Sequence, residues 1–230
     1  MKFIQTTRRL VAPAAALALT AGLVATTGST AQAGVQATTP VQIEIAQPRY
    51  PVQTIGSSLS LNGNMTTSTG AAARTNNAIY LQRRANGSST WVNVSSDADG
   101  GGLYFDTQKF SGNAQYRAYF PGGADRYNSS VVYSAAYSNV VTVKTLRKIS
   151  GKVVYGRNSL HFKGKIAPKS KKKAKVQIKK GGWKTVRKVK LKKGKKFNFR
   201  ISGPDNRKVR VVFPGDKRFA KTSTRDYTIY

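Results

Sequence analysis

The 230-residue chain contains no cysteine, a single histidine and only eight acidic residues against forty lysines and arginines. Without cysteine there is no disulfide, no thiol nucleophile and no thiolate metal ligand. One histidine, His161, cannot build a multi-histidine metal site, and the common Ser-His and Cys-His nucleophilic arrangements are nearly excluded. A carboxylate pair for glycoside hydrolysis would have to come from Glu44, Asp97, Asp99, Asp106 or Asp125, most of which fall in turn segments. The run DADGGG at 97–102 opens like a calcium loop but lacks the ligand spacing and the terminal glutamate, so it reads as a hairpin turn. Helical periodicity is also missing: no stretch after the leader sustains a 3.6-residue apolar period. These absences together predict a protein that is not an enzyme and that needs no cofactor.

The long apolar run that does occur lies at the N-terminus. Lys2, Arg8 and Arg9 precede apolar residues from Leu10 to about Ala25, and Ala31-Gln32-Ala33 ends the segment with small residues. A charged start, an apolar middle and an A-x-A site predict a cleaved secretory signal peptide over 1–33. TTRRLV matches a twin-arginine export motif only in part, which leaves the export route open. The apolar run is short for a membrane span and is interrupted by Pro13, and the chain ends at Tyr230 with no hydrophobic tail. The expectation is an exported protein, extracellular or held at the cell wall, with no membrane span.

After the leader, short runs rich in Val, Ile, Tyr, Phe and Thr recur between Gly, Asn, Asp and Pro clusters, which predicts an all-β chain. The two halves match in order. SLSLNGNM (58–65) aligns with SLHFKGKI (159–166), and IYLQRR (79–84) with VQIKK (176–180). Trp91 and Val94 pair with Trp183 and Val186, and YRAYFPGGADRYNSS (116–130) with VRVVFPGDKRFAKTS (209–223). VQIEIA at 41 and VVTVKT at 140 then read as the opening strand of each half. The pattern predicts a tandem duplication with domains 34–138 and 139–230, each an antiparallel β-sandwich.

The order Gly-x-Trp-x-x-Val, a glycine turn and Phe, then Tyr-Arg-Ala and Phe-Pro-Gly resembles the immunoglobulin-like repeats of secreted and cell-surface proteins of actinobacteria. The resemblance covers about 40–230 and rests on Trp91, Trp183, Tyr116, Pro121 and Pro214, which are framework positions. It implies a tandem immunoglobulin-like fold acting as spacer, adhesive or wall-binding module. Val209, where the pattern has Tyr, and the lysine load of the second half depart from it.

Charge separates the halves. Residues 34–143 carry seven basic and five acidic groups, a net of +2; residues 144–230 carry thirty and three, a net of +27. Strand alternation sends Val176, Ile178, Val189, Leu191, Phe197, Phe199, Ile201, Val209, Val211 and Phe213 inward. The same parity sends Lys188, Lys190, Lys192, Lys196, Arg200, Lys208 and Arg210 outward, with a slip between Val186 and Val189 that predicts a bulge. Lys193 and Lys195 join them in a turn, and Lys171, Lys172 and Lys173 in a loop. These twelve residues form the expected polyanion-binding surface, for wall teichoic acid, acidic polysaccharide or nucleic acid. Lysines outnumber arginines twenty-two to eight in this half. That favours diffuse attraction over forked reading of phosphates, and few aromatics interleave to stack bases.

Two other readings remain open at this point. The tyrosine-rich first half, with Tyr104, Tyr116, Tyr119, Tyr127, Tyr133 and Tyr137, is the candidate face for a protein partner of an adhesive or spacer module. A cationic effector acting on anionic envelopes ranks last, because no amphipathic helix is evident. His161 takes the outward parity of its counterpart Ser60 and reads as a surface residue.

Overall fold

The computed structural model describes residues 37–98, 101–106 and 109–230. The expected signal peptide, 1–33, and part of the DADGGG run lie outside them. The described residues are all β, with several mostly antiparallel sheets and no helix, an arrangement consistent with β-sandwich packing. None of them forms a helix long and apolar enough to cross a membrane.

Two hydrophobic cores organise the sheets. The first holds buried residues from Val41 to Val143 and the second those from Leu160 to Ile229. Around the first lie β1 (Val41–Ile45), β2 (Val52–Thr54), β3 (Ser60–Thr67), β4 (Ile79–Ala85), β5 (Val92–Asp97), β6 (Leu103–Asp106), β7 (Ala114–Phe120) and β8 (Val141–Leu146). They form a sheet ordered β1-β3-β6 and another ordered β2-β8-β7-β4-β5. Around the second lie β9 (Lys148–Gly156), β10 (Ser159–Ala167), β11 (Ala174–Lys180), β12 (Gly182–Val189), β13 (Lys196–Ser202) and β14 (Lys208–Phe213). Their sheets are β9-β10-β13 and β12-β11-β14, the latter extended by short strands at Thr222–Ser223 and Tyr227–Thr228.

Period-2 patterning explains the strands. In β1 the valine and isoleucines are buried while Gln42 and Glu44 face out, and in β13 Phe197 and Phe199 are buried between exposed Lys196, Asn198 and Arg200. Val176, Ile178, Val209, Val211 and Phe213 are buried as their parity predicts. The predicted bulge is present: Val176 lies opposite Arg187 and Gln177 opposite Thr185, so Val186 is the extra residue. The first half bulges at the matching place, where Leu81 faces Ser95, Gln82 faces Asn93, and Val94 is extra. Both halves also carry a glycine at a crowded crossing. A Cβ on Gly63 would meet the Glu44 carbonyl oxygen at 2.2 Å, and one on Gly164 would meet the Ser150 oxygen at 2.5 Å.

The boundary differs from the expectation. The strand at 140–145 does not open the second half; β8 pairs with β7, Val141 opposite Tyr116, and runs parallel to β2. Val141 and Val143 are fully buried in the first core. Asn139, at the expected junction, donates Nδ2 to the Ile45 carbonyl and accepts from the Ile45 amide, which ties it to β1. An alternating valine strand suits either core, so composition alone could not assign it. The chain passes to the second core at Arg147, and β9 opens that half by a two-residue hairpin to β10 in which Asn158 has φ +50°.

The halves touch at this passage. Ala220 N–H donates to the Thr145 carbonyl at 2.9 Å and Asn113 N–H to the Arg218 carbonyl at 2.7 Å, while Asn86 Nδ2 reaches the Lys217 carbonyl at 2.6 Å. Arg147, only 3% exposed, is ion-paired with Asp216 and lies 4.5 Å from the Phe219 ring.

Candidate polyanion-binding surface

Three strands set out the cationic face. Across β9, β10 and β13 the outward residues fall into rows: Ser150 beside Lys165 beside Lys196, Lys152 beside Lys163 beside Asn198, and Val154 beside His161 beside Arg200. Paired residues on neighbouring strands approach to about 5 Å at the backbone, so Lys152 with Lys163 and Lys165 with Lys196 are like charges held side by side at a cost in stability.

A turn and a loop complete the surface. Lys192 N–H donates to the Lys196 carbonyl at 2.8 Å, closing a turn in which Lys193 has φ +50° and Gly194 φ +68°. The loop 169–173 is fastened to that turn because Ser170, buried, donates its N–H to the Gly194 carbonyl at 2.8 Å and accepts from the Lys172 amide on its hydroxyl. Three adjoining recesses of about 680, 520 and 390 Å³ surround the turn. The largest has Gly151, Gly164 and Phe197 in its floor and Lys163, Lys165, Lys190, Lys192 and Lys196 around it.

Eleven lysines line these recesses, eight of them among the twelve expected from the sequence: Lys171, Lys172, Lys173, Lys190, Lys192, Lys193, Lys195 and Lys196. Among the described residues none of the eleven makes an ion pair with a carboxylate, since Asp216 is taken by Arg147 and Asp205 and Asp226 are exposed elsewhere. One ammonium is engaged by the fold: Lys172 Nζ donates to the Gly215 carbonyl.

Four expected residues lie outside the recesses. Lys188 sits on the other sheet opposite Lys175, and Lys208 opposite Thr228. Arg200 directs Nε and Nη2 at the Ser159 hydroxyl, at 3.0 and 2.7 Å. Arg210 lies 4.0 Å from the Trp183 ring and donates Nε to Gln177 at 3.0 Å. The same trio recurs in the near-neutral half, where Arg117 lies 4.3 Å from Trp91 and donates to Gln82 at 2.9 Å. An arginine so engaged in both halves is framework. Neither Trp belongs to a hydrophobic core; both are half-buried on the outer face under these arginines.

The sequence reading missed Lys163, Lys165 and Lys169. The first two flank Gly164 in FKGKI with the same outward parity as His161, so alternation could have found them. Lys169 joins the site through a loop contact that no periodicity encodes.

Of the remaining candidate groups Glu44 faces out from β1, and most of the others are engaged by the fold. His161 pairs with Asn198, Asp97 accepts from the Tyr104 amide, and Asp106 lies 3.4 Å from the Ser60 hydroxyl. Asp99 lies outside the described residues. Asp125 Oδ1 accepts from the Tyr127 and Asn128 amides and Oδ2 from the Tyr133 hydroxyl, and the latter bond above all holds its carboxyl below the usual range. Burial first, then the hydrogen bond to Asp125 and its charge, push the Tyr133 phenol up to about 12. Among the described residues no three His, Asp or Glu side chains gather where they could hold a metal ion. In the first half Tyr104, Tyr127 and Tyr137 are exposed, whereas Tyr116 and Tyr133 are core residues.

No family model matches this chain, and no curated protein matches its sequence.

Proposed function

We propose that the chain is a secreted, non-catalytic binding protein of two tandem immunoglobulin-like sandwiches, whose second half attaches it electrostatically to an anionic polymer such as teichoic acid or acidic polysaccharide at a cell surface. The observation that carries this reading is the gathering of eleven lysines around one turn and its adjoining recesses with no paired carboxylate among the described residues. Unpaired like charges on adjacent strands lower stability, and a polyanion supplies the missing counter-charge. Its binding releases condensed counterions and therefore weakens steeply with salt. Co-sedimentation of the mature chain with purified cell walls, before and after teichoic acid removal and across a salt series, tests it. Binding that needs the polymer and fades with salt supports the proposal; no binding at low salt refutes it.

A second reading rests on Tyr104, Tyr127 and Tyr137, which stand exposed on the first half and suit a protein partner. Substituting all three with serine would abolish capture of that partner while wall binding persisted.

A further inference from the structure

The geometry points to a slender, flexible, single-chain polyanion as the partner, one that enters the recess under Lys163 and Lys165 and wraps the Lys192–Lys196 turn, in preference to a duplex nucleic acid. This inference rests on the polyanion reading above and narrows it.

Three observations carry it. First, the lysines surround a concavity: a recess of about 680 Å³ has the size of a small-molecule site, roughly 300–1,000 Å³. A chain one monomer thick can enter it, whereas a duplex can touch only the rim. Second, the recesses share walls. Lys192 and Lys196 border the first and second, Lys169 and Lys193 the second and third, and Lys190 the first and third, so they run on around the turn. A path of this kind suits a polymer that bends at every repeat unit. Third, the floor is bare backbone. Gly151 and Gly164 pair across β9 and β10 between the rows of Lys165 and Lys163, and both line the recess, so the anionic chain meets main chain between two rows of lysine. Ser150 and Asn198 supply neutral hydrogen-bonding groups beside the lysines. Phe197 in that floor is only 5% exposed and offers no face for stacking bases. Access for a thin chain, rather than net charge, is what distinguishes this surface from a merely basic one.

The experiment fills the recess without changing its charge. Asn198→Trp places a large side chain beside Lys163, and Ser150→Trp does so from the neighbouring strand, so one variant serves if the other fails to fold; melting temperature reports folding for both. Affinity of the mature chain is measured for inorganic polyphosphate, for polygalacturonate and for duplex DNA at matched charge and low salt. The triple substitution K190Q/K192Q/K196Q serves as the charge control. A folded Trp variant is expected to bind polyphosphate at least about tenfold more weakly, as loss of a few lysine contacts requires, with duplex binding unchanged. An equal loss for polygalacturonate shows that phosphate and carboxylate chains share the path, and a loss confined to polyphosphate assigns it to phosphate. If the triple variant weakens every ligand but the Trp variants weaken none, the recess is not the path and the inference falls while the polyanion reading stands. If the wild-type chain binds none of the three, both fall.

Discussion

Asp125 and Asp216 each cap a turn that follows the Phe-Pro-Gly corner of its half, and they aim their second oxygen at different partners. Each accepts on Oδ1 from amides two and three residues on: Tyr127 and Asn128 in the first half, Arg218 and Phe219 in the second. On Oδ2, Asp125 receives a phenol from Tyr133 and Asp216 the guanidinium of Arg147. A carboxylate bonded by an uncharged phenol inside one half has its counterpart in an ion pair that anchors the crossing between halves.

The difference in partner charge sets unequal consequences. Asp216→Ala strands the nearly inaccessible Arg147 cation; with the Asp216 side chain one-third exposed, the loss is about 2–3 kcal/mol, below that of a fully buried pair. Asp125→Ala loses a turn cap and a hydrogen bond from an uncharged, replaceable phenol, roughly 1–2 kcal/mol. Chemical denaturation of the two variants is expected to rank them in that order; an equal effect would show that the Arg147 pair adds nothing beyond the cap.

Both carboxyls are held below the ordinary aspartate range. For Asp216 partial burial works upward but is outweighed by the hydrogen bond from Arg147, the Arg218 and Phe219 amides and the Arg147 charge. A depressed folded pKa means that the unfolded state binds more protons between the two values, so stability rises with pH across that window. Their contribution is full above the unfolded aspartate value, about 4, and is lost as pH falls through the folded values. Thermal melts are expected to hold level near neutrality and to drop below about pH 4, less so in Asp216→Asn, which lacks one of the two titrating groups.

On the alkaline side Tyr133 gives the converse sign. Its folded pKa, about 12, lies above the unfolded value, so its contribution is complete below about 10 and disappears as pH rises toward the folded value. Tyr116 is raised as well, by burial, against the lowering effect of Arg83. Ultraviolet titration of tyrosinate should show a late-ionising fraction, and Asp125→Asn should move part of it toward ordinary tyrosine behaviour.

Much of this was legible in the sequence because period-2 patterning is a local rule. The inward set Val176, Ile178, Phe197, Phe199, Val209, Val211 and Phe213 and the bulge near Val186 follow from side chains alternating about a strand. Two things were not local. Whether VVTVKT closes the first core or opens the second depends on its partner strand, and its alternation fits both. Whether an outward arginine is free depends on its neighbours: Arg210 and Lys190 share the outward parity, but only Arg210 has Trp183 and Gln177 within reach.

The crossing glycines predict sharp local effects. Alanine at Gly164 brings a Cβ within 2.6 Å of both the Ser150 oxygen and the Phe197 ring, and alanine at Gly63 brings one to 2.2 Å from the Glu44 oxygen. Overpacking of this kind costs about 1–3 kcal/mol. Gly182→Ala, where a Cβ meets nothing within 4 Å, is the control and should leave the melting midpoint nearly unchanged.

Framework and binding cations should separate by their salt dependence. Arg210→Gln removes one positive charge but one already engaged by Trp183 and Gln177, as Arg117 is by Trp91 and Gln82. It should lower stability by about 1 kcal/mol, through the lost cation–π contact and hydrogen bond. The slope of log affinity against log salt should not move. K190Q/K192Q/K196Q removes three recess lysines and should reduce that slope by about 2, close to 0.7 per single-strand phosphate contact, with little loss of stability, because removing like charges from neighbouring positions relieves repulsion. The comparison is decided by titrations of polyphosphate at several salt concentrations. A slope reduced equally by both variants would mean that the second half binds through its total charge, with no distinction between arginines held by the fold and lysines left open around the turn.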